Sequence, residues 1–117
     1  MKPLHVAVSA LLALSGALHA GLATPYLYDY INHDAVWFVS GGMLAVTAGL
    51  ASLAAALAKS PRRAVSFAAF VGCAGVLLMA TALTQASVFL IRSPLVIAYL
   101  ILSSLAGAFA LRNLIRG

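Results

Sequence analysis

Residues 35–63 read AVWFVSGGMLAVTAGLASLAAALAKSPRR. The stretch from Ala35 to Ala58 carries no charge, and it then runs into Lys59, Arg62 and Arg63. A helix that crosses a bilayer needs about 20 mostly apolar residues to traverse a hydrocarbon core about 30 Å thick. A charge at the centre of such a helix costs roughly 2.5–3.5 kcal/mol on insertion scales. Residues 35–57 therefore read as a membrane span, and the basic KSPRR segment reads as its end.

Outward from that run, the remaining charges act as punctuation. They fall at Lys2, Asp29, Asp34, Arg92, Arg112 and Arg116. Between them lie three more long uncharged stretches, so four spans are predicted: 4–24, 35–57, 64–88 and 94–112. Local signals suit these limits. Thr24-Pro25 is expected to close the first span, because the residue before proline is pushed out of helical geometry. Asp34 is the expected N-cap of the second. Ser60-Pro61 and Ser93-Pro94 each read as an N-cap serine with proline at the first helical position. On this reading no proline lies inside a span. Four nearly unbroken helices with short connections predict an all-α integral membrane protein. The expected arrangement is an antiparallel four-transmembrane-helix bundle, one domain over 1–117.

Composition leads to the same class. Of 117 residues, 64% are apolar and 8% charged, and the mean hydropathy is +1.09. Soluble domains average roughly 45–50% apolar and about 25% charged, so the polar surface needed to coat a water-soluble globule is missing. Two acidic residues also exclude chemistry that requires several carboxylates. Nucleophile elbows, phosphate-cradling loops, zinc motifs and CxxC pairs are all absent from the sequence, and no enzymatic activity is expected.

Orientation follows from the basic residues, which concentrate in cytoplasmic loops. With four spans, both termini and the middle connection share a side. That side holds Lys2, Lys59, Arg62, Arg63, Arg112 and Arg116, leaving Arg92 and both acids opposite. Cytoplasmic N and C termini in a plasma (inner) membrane are expected, with the 25–34 and 89–93 loops outside. The formal charge of +5 is thus topological and implies no nucleic-acid partner. Anionic lipid headgroups are the nearest match for Lys59, Arg62 and Arg63. The first apolar run is expected to stay as a span rather than be cleaved, since its loss would spoil this partition.

Small residues mark the expected helix contacts, because helices in lipid associate through close packing. In span two, Gly41, Ala45, Ala48, Gly49, Ser52 and Ala56 fall within an arc of about 100°. Gly72 and Gly75 in span three, beside Cys73, and Gly107 in span four continue the pattern. Span one aligns His5, Ser9, Leu12, Gly16 and His19 within about 80°, with the histidines about 21 Å apart along the axis. Ionisable residues inside spans are candidate functional sites. Here the simplest expectation is neutral imidazoles hydrogen-bonded to neighbouring helices. Bis-histidine haem ligation would require a facing histidine, and no other span has one, so no cofactor is expected.

The outer loop concentrates Tyr26, Tyr28, Asp29, Tyr30, Asn32, His33, Asp34 and Trp37. Its aromatics read first as an interfacial belt. Thr81 and Gln85, one turn apart in span three, together with His19 and this loop would line an outward polar pocket. Asp29, His33, Asp34 and His19 offer metal-compatible donors without the spacing of a recognised metal motif, so no metal is expected. Small multidrug transporters share the length and four-span plan. Their pattern includes a glutamate within the first span, and none of the four spans here holds an acid. The expected role is helix packing, as an accessory subunit of a membrane complex or as a homo-oligomer. The alternative is a small transporter or ligand-binding module using the outer pocket. A haem-binding electron carrier, which would need a homodimer to pair its histidines, is the third and least favoured reading.

Overall fold

The computed structural model describes residues 2–60, 62–86 and 93–116, the side chains of residues 85 and 86 aside. Among the described residues there are four long helices and no strands. We number them α1 (Lys2–Leu27), α2 (His33–Leu57), α3 (Arg63–Ala86) and α4 (Pro94–Arg116). All four are long and apolar enough to cross a membrane. Only 28–39% of each spanning window is buried inside the bundle, so most of the apolar surface turns outward. Leu11, Leu14, Leu50, Phe67, Leu78 and Ile101 are among the exposed large side chains. Water would penalise that belt at about 25 cal/mol per Å², whereas hydrocarbon accepts it. The chain thus has the surface of a multi-pass membrane protein.

Neighbouring helices run in opposite directions. His5 meets Ser52, and Gly49 meets Ala13, while His19 lies beside Gly41. Likewise Gly72 abuts Ala48, and Gly41 abuts Met79. The small-residue face of α2 makes this possible: Gly41, Ala45, Ala48, Gly49, Ser52 and Ala56 are all buried. A Cβ at Gly16 would stand 2.6 Å from the Gly42 carbonyl oxygen and 2.6 Å from the Val46 nitrogen. The backbones of α1 and α2 therefore touch, as small-xxx-small spacing permits. On the other side of the seam, a Cβ at Gly72 would come 3.0 Å from Ala48 Cβ. Gly75 faces Leu44 and Gly107 faces Cys73. These small residues are used by helices of the same chain.

The helix limits differ from the sequence reading in instructive ways. Helix α1 reaches past its expected span at both ends, α2 and α3 start one or two residues early and α4 runs on to Arg116, while α2 stops at Leu57 and α4 starts at Pro94 as expected. The first helix is not closed at Thr24-Pro25. Instead, residues His19–Ala23 form one wide π-type turn, after which Thr24–Leu27 resume α-geometry. The turn pairs the Thr24 N–H with the His19 carbonyl. Pro25 then sits in the first turn of the resumed helix, where its missing N–H is harmless. A proline does lie inside a span, and the wide turn is the reason it fits.

Asp34 is not the cap of α2. That role belongs to Asn32, whose Oδ1 accepts from the Ala35 N–H at 2.7 Å, with Asp34 within the first turn. Helix α3 starts at Arg63, and the Arg62 carbonyl takes the bond from the Ser66 N–H at 2.9 Å. Ser60 is therefore too far upstream to cap it, and Pro61 lies outside the described residues. Ser93 does occupy the position before Pro94, its carbonyl accepting from Ile97 N–H at 3.1 Å. Residues 87 and 88 of the expected third span, residues 89–92 of the connection that follows, and Arg92 with them lie outside the described residues.

Candidate functional site

One stripe of α1 turns inward. His5, Ser9, Leu12, Gly16 and His19 are buried, as their shared arc predicts. The two histidines meet different environments. His5 Nε2 lies 3.2 Å from Ser52 Oγ, Ser52 Oγ lies 2.7 Å from Ser9 Oγ, and Ser9 Oγ donates to the His5 carbonyl at 2.7 Å. Each hydroxyl has a single proton. Ser9 spends its proton on the carbonyl, so Ser52 donates to Ser9, and His5 Nε2–H donates to Ser52. The circuit leaves none of these atoms without a partner. Phe109 stacks on the His5 ring with centroids 4.9 Å apart. His5 is a structural residue that ties α1 to α2 and α4.

His19 is different. Its side chain is 5% exposed, and Nδ1 is 2.7 Å from the Tyr99 hydroxyl on α4. Phe38 packs against the same ring at 4.2 Å between centroids. Nε2 is buried and, among the described residues, makes no hydrogen bond of acceptable geometry; the Phe38 carbonyl approaches the ring as an acceptor but falls short of that geometry. Counting protons settles the tautomer. If Tyr99 O–H donates to Nδ1, one bond satisfies both atoms and only an Nε2–H donor is left over. If Nδ1–H donated instead, the Tyr99 proton and the Nε2 lone pair would both be orphaned among the described residues. Each orphaned group costs about 1–3 kcal/mol, so the first arrangement is favoured. The ring therefore carries one spare buried donor.

His19 is one of the residues that line a cavity of about 910 Å³. Tyr28 and the end of α1 supply one side through His19, Ala23 and Leu27, and α2 supplies Asp34, Trp37 and Phe38. Met79 and Leu83 come from α3, and Val96 and Tyr99 from α4. The lining is overwhelmingly apolar, with His19 and Tyr99 as its deep polar pair and Asp34 at the end where α2 begins. The wide turn begins at His19, whose carbonyl also accepts from Thr24 Oγ1 at 3.0 Å. Turns of this kind are frequent at functional sites.

The sequence-derived candidates divide accordingly. His19 and Asp34 line the cavity. Tyr26, Asp29 and His33 are exposed and stand outside its lining; His33 Nε2 instead accepts from Trp37 Nε1 at 3.3 Å. Thr81 is exposed on α3, its hydroxyl donating to the Leu77 carbonyl at 2.7 Å, so it is not brought to His19. The Gln85 side chain lies outside the described residues. Among the described residues no three His, Cys, Asp or Glu side chains gather to hold a metal ion. Residues that sequence reasoning did not single out are Tyr99, Phe38 and Met79. One signal was present: a tyrosine inside a span must bring its hydroxyl to a polar partner, and Tyr99 lies at the depth of His19. No known protein family, curated protein or solved structure matches this chain at a significant level.

Proposed function

We propose that this chain is a non-enzymatic multi-pass protein of the plasma (inner) membrane, with both termini cytoplasmic. Its cavity binds a small, uncharged, largely apolar molecule that offers an oxygen acceptor, such as a carbonyl, to His19. The observation that carries this reading is the spare Nε2–H of a buried histidine in the wall of an apolar cavity. Few buried donors in folded proteins lack a partner, and each one requires an explanation. A ligand oxygen supplies one. The lining suits an apolar body with few polar groups, the usual character of small-molecule sites. The inward orientation of the termini is supported by the sequence partition of basic residues, six on one side against Arg92 alone on the other.

Trp37 is the only tryptophan and lines the cavity, so its fluorescence reports occupancy. A long-chain methyl ketone brominated at its tail is titrated against the purified protein in nanodiscs. Saturable quenching is expected, with an apparent affinity about tenfold weaker in His19→Leu, the worth of one hydrogen bond of about 1.4 kcal/mol. Quenching that rises linearly and identically in both proteins would be bilayer partitioning, and the reading would fail.

Helix packing against another membrane protein, or against a second copy, is the second reading. It draws on the outward apolar faces of all four helices, which leave lipid or further helices as neighbours. The small-residue faces lend it no support, since helices of this chain already occupy them. Native mass after mild extraction tests it: a strictly monomeric particle with no companion counts against it.

A further inference from the structure

At the end opposite His19, a second cavity of about 340 Å³ opens between the start of α1 and the ends of α2 and α4. Three cations line it: Lys2 from α1, and Arg112 and Arg116 from α4. The arginines are one helical turn apart and so share a face. Asn113 adds an amide, and Phe109 and Ala56 make an apolar floor. The only acidic side chains in the sequence are Asp29 and Asp34. Asp34 lines the other cavity, and Asp29 is in the loop before it, so neither neutralises this cluster. Helix dipoles offset it only in part: the start of α1 and the ends of α2 and α4 meet at the hollow, and each terminus carries only about half a charge. All three cations are exposed, so water screens their mutual repulsion, and an anion that enters the hollow meets three positive charges at once.

We propose that this hollow is a binding site for a phosphate group. Guanidinium forks hold phosphate oxygens in a bidentate manner, and an ammonium adds a point charge. The phosphate comes either from the headgroup of an anionic lipid, whose glycerol would lie against Phe109, or from solution. The site is separate from the His19 cavity and independent of the ligand proposed there.

The protein is assayed in nanodiscs with two arms. In discs of phosphatidylcholine alone, inorganic phosphate is titrated by calorimetry. In discs doped with phosphatidylglycerol, retention of that lipid on the released protein is measured by native mass spectrometry. The double variant Arg112→Gln/Arg116→Gln is compared with Lys59→Gln/Arg62→Gln, which removes the same charge from exposed positions outside the hollow. Expected is an about tenfold loss of phosphate affinity or of lipid retention in the first variant only, with unchanged helical circular dichroism in both. Saturable phosphate binding in the first arm assigns the site to a soluble ion, and selective lipid retention alone assigns it to headgroups. Equal losses in both variants, or no saturable binding in either arm, overturns the proposal.

Discussion

The residues that matter most here are those with the least side chain. Gly49 is the clearest case. A Cβ there would fall on the backbone nitrogen of Ala13, 2.7 Å from its Cα as well, and neither atom can move aside. Gly21 is the contrast, with nothing within 4 Å of an added Cβ. We therefore expect Gly49→Ala to destabilise by about 1–3 kcal/mol through overpacking, and Gly21→Ala to be neutral or to stabilise by up to about 1 kcal/mol. Thermal melts in detergent followed by circular dichroism check both. Equal melting temperatures for the two variants would mean that α1 and α2 are not in backbone contact. The same scale separates the histidines. Both were visible as inward-facing residues of one stripe, yet only the hydrogen bonds distinguish a satisfied His5 from a His19 with a donor to spare.

At the scale of elements, the ends carry the information that periodicity lacks. Asp34 looked like the cap of α2 because it borders the uncharged run. Asn32 does that work from two residues earlier, through Oδ1. Asn32→Ala is expected to cost about 1 kcal/mol, while Asp34→Ala should cost only a few tenths through the helix dipole. Chemical denaturation of the two variants side by side reads the difference, and the reverse order would return the cap to Asp34. The wide turn at His19–Ala23 is a second such case. Thr24-Pro25 carries a real stop signal, and a regular helix would have obeyed it. A helix that widens by one residue ahead of the proline pairs the His19 carbonyl with both the Thr24 N–H and its hydroxyl, the kind of local adjustment by which membrane helices tolerate proline.

For the whole molecule, the partition of charge is the strongest organising fact. Extents of 45 × 25 × 21 Å match a bilayer of about 40–45 Å including its headgroups. Lys2, Arg112 and Arg116 gather around the second cavity, at the end opposite Asp34. The proposed orientation therefore makes a simple prediction. In a Cys73→Ala background, which removes the chain's one cysteine, a membrane-impermeant maleimide should label Tyr30→Cys in intact spheroplasts. It should label Lys59→Cys only in inverted vesicles. The opposite pattern would turn the protein over and with it the side from which the His19 cavity is approached.

How many apolar helices there are, and which face of α1 and α2 turns inward, follow from one-dimensional properties of the chain: hydropathy over about 20 residues, and small or polar residues recurring at helical spacing. Lipid enforces both, since it penalises charge along a span and rewards close backbone approach. The candidate site was only half legible, because its essential pair, His19 and Tyr99, is separated by 80 residues. Their contact depends on the depth and rotation of α4 beside α1, which no local pattern encodes. Thr81 failed to join them for the same reason: on α3 it is Met79 and Leu83 that face the cavity, and a rotation of half a turn decides which. The spare imidazole donor and both cavities exist only where distant helices leave space between them, and that space is a property of packing alone.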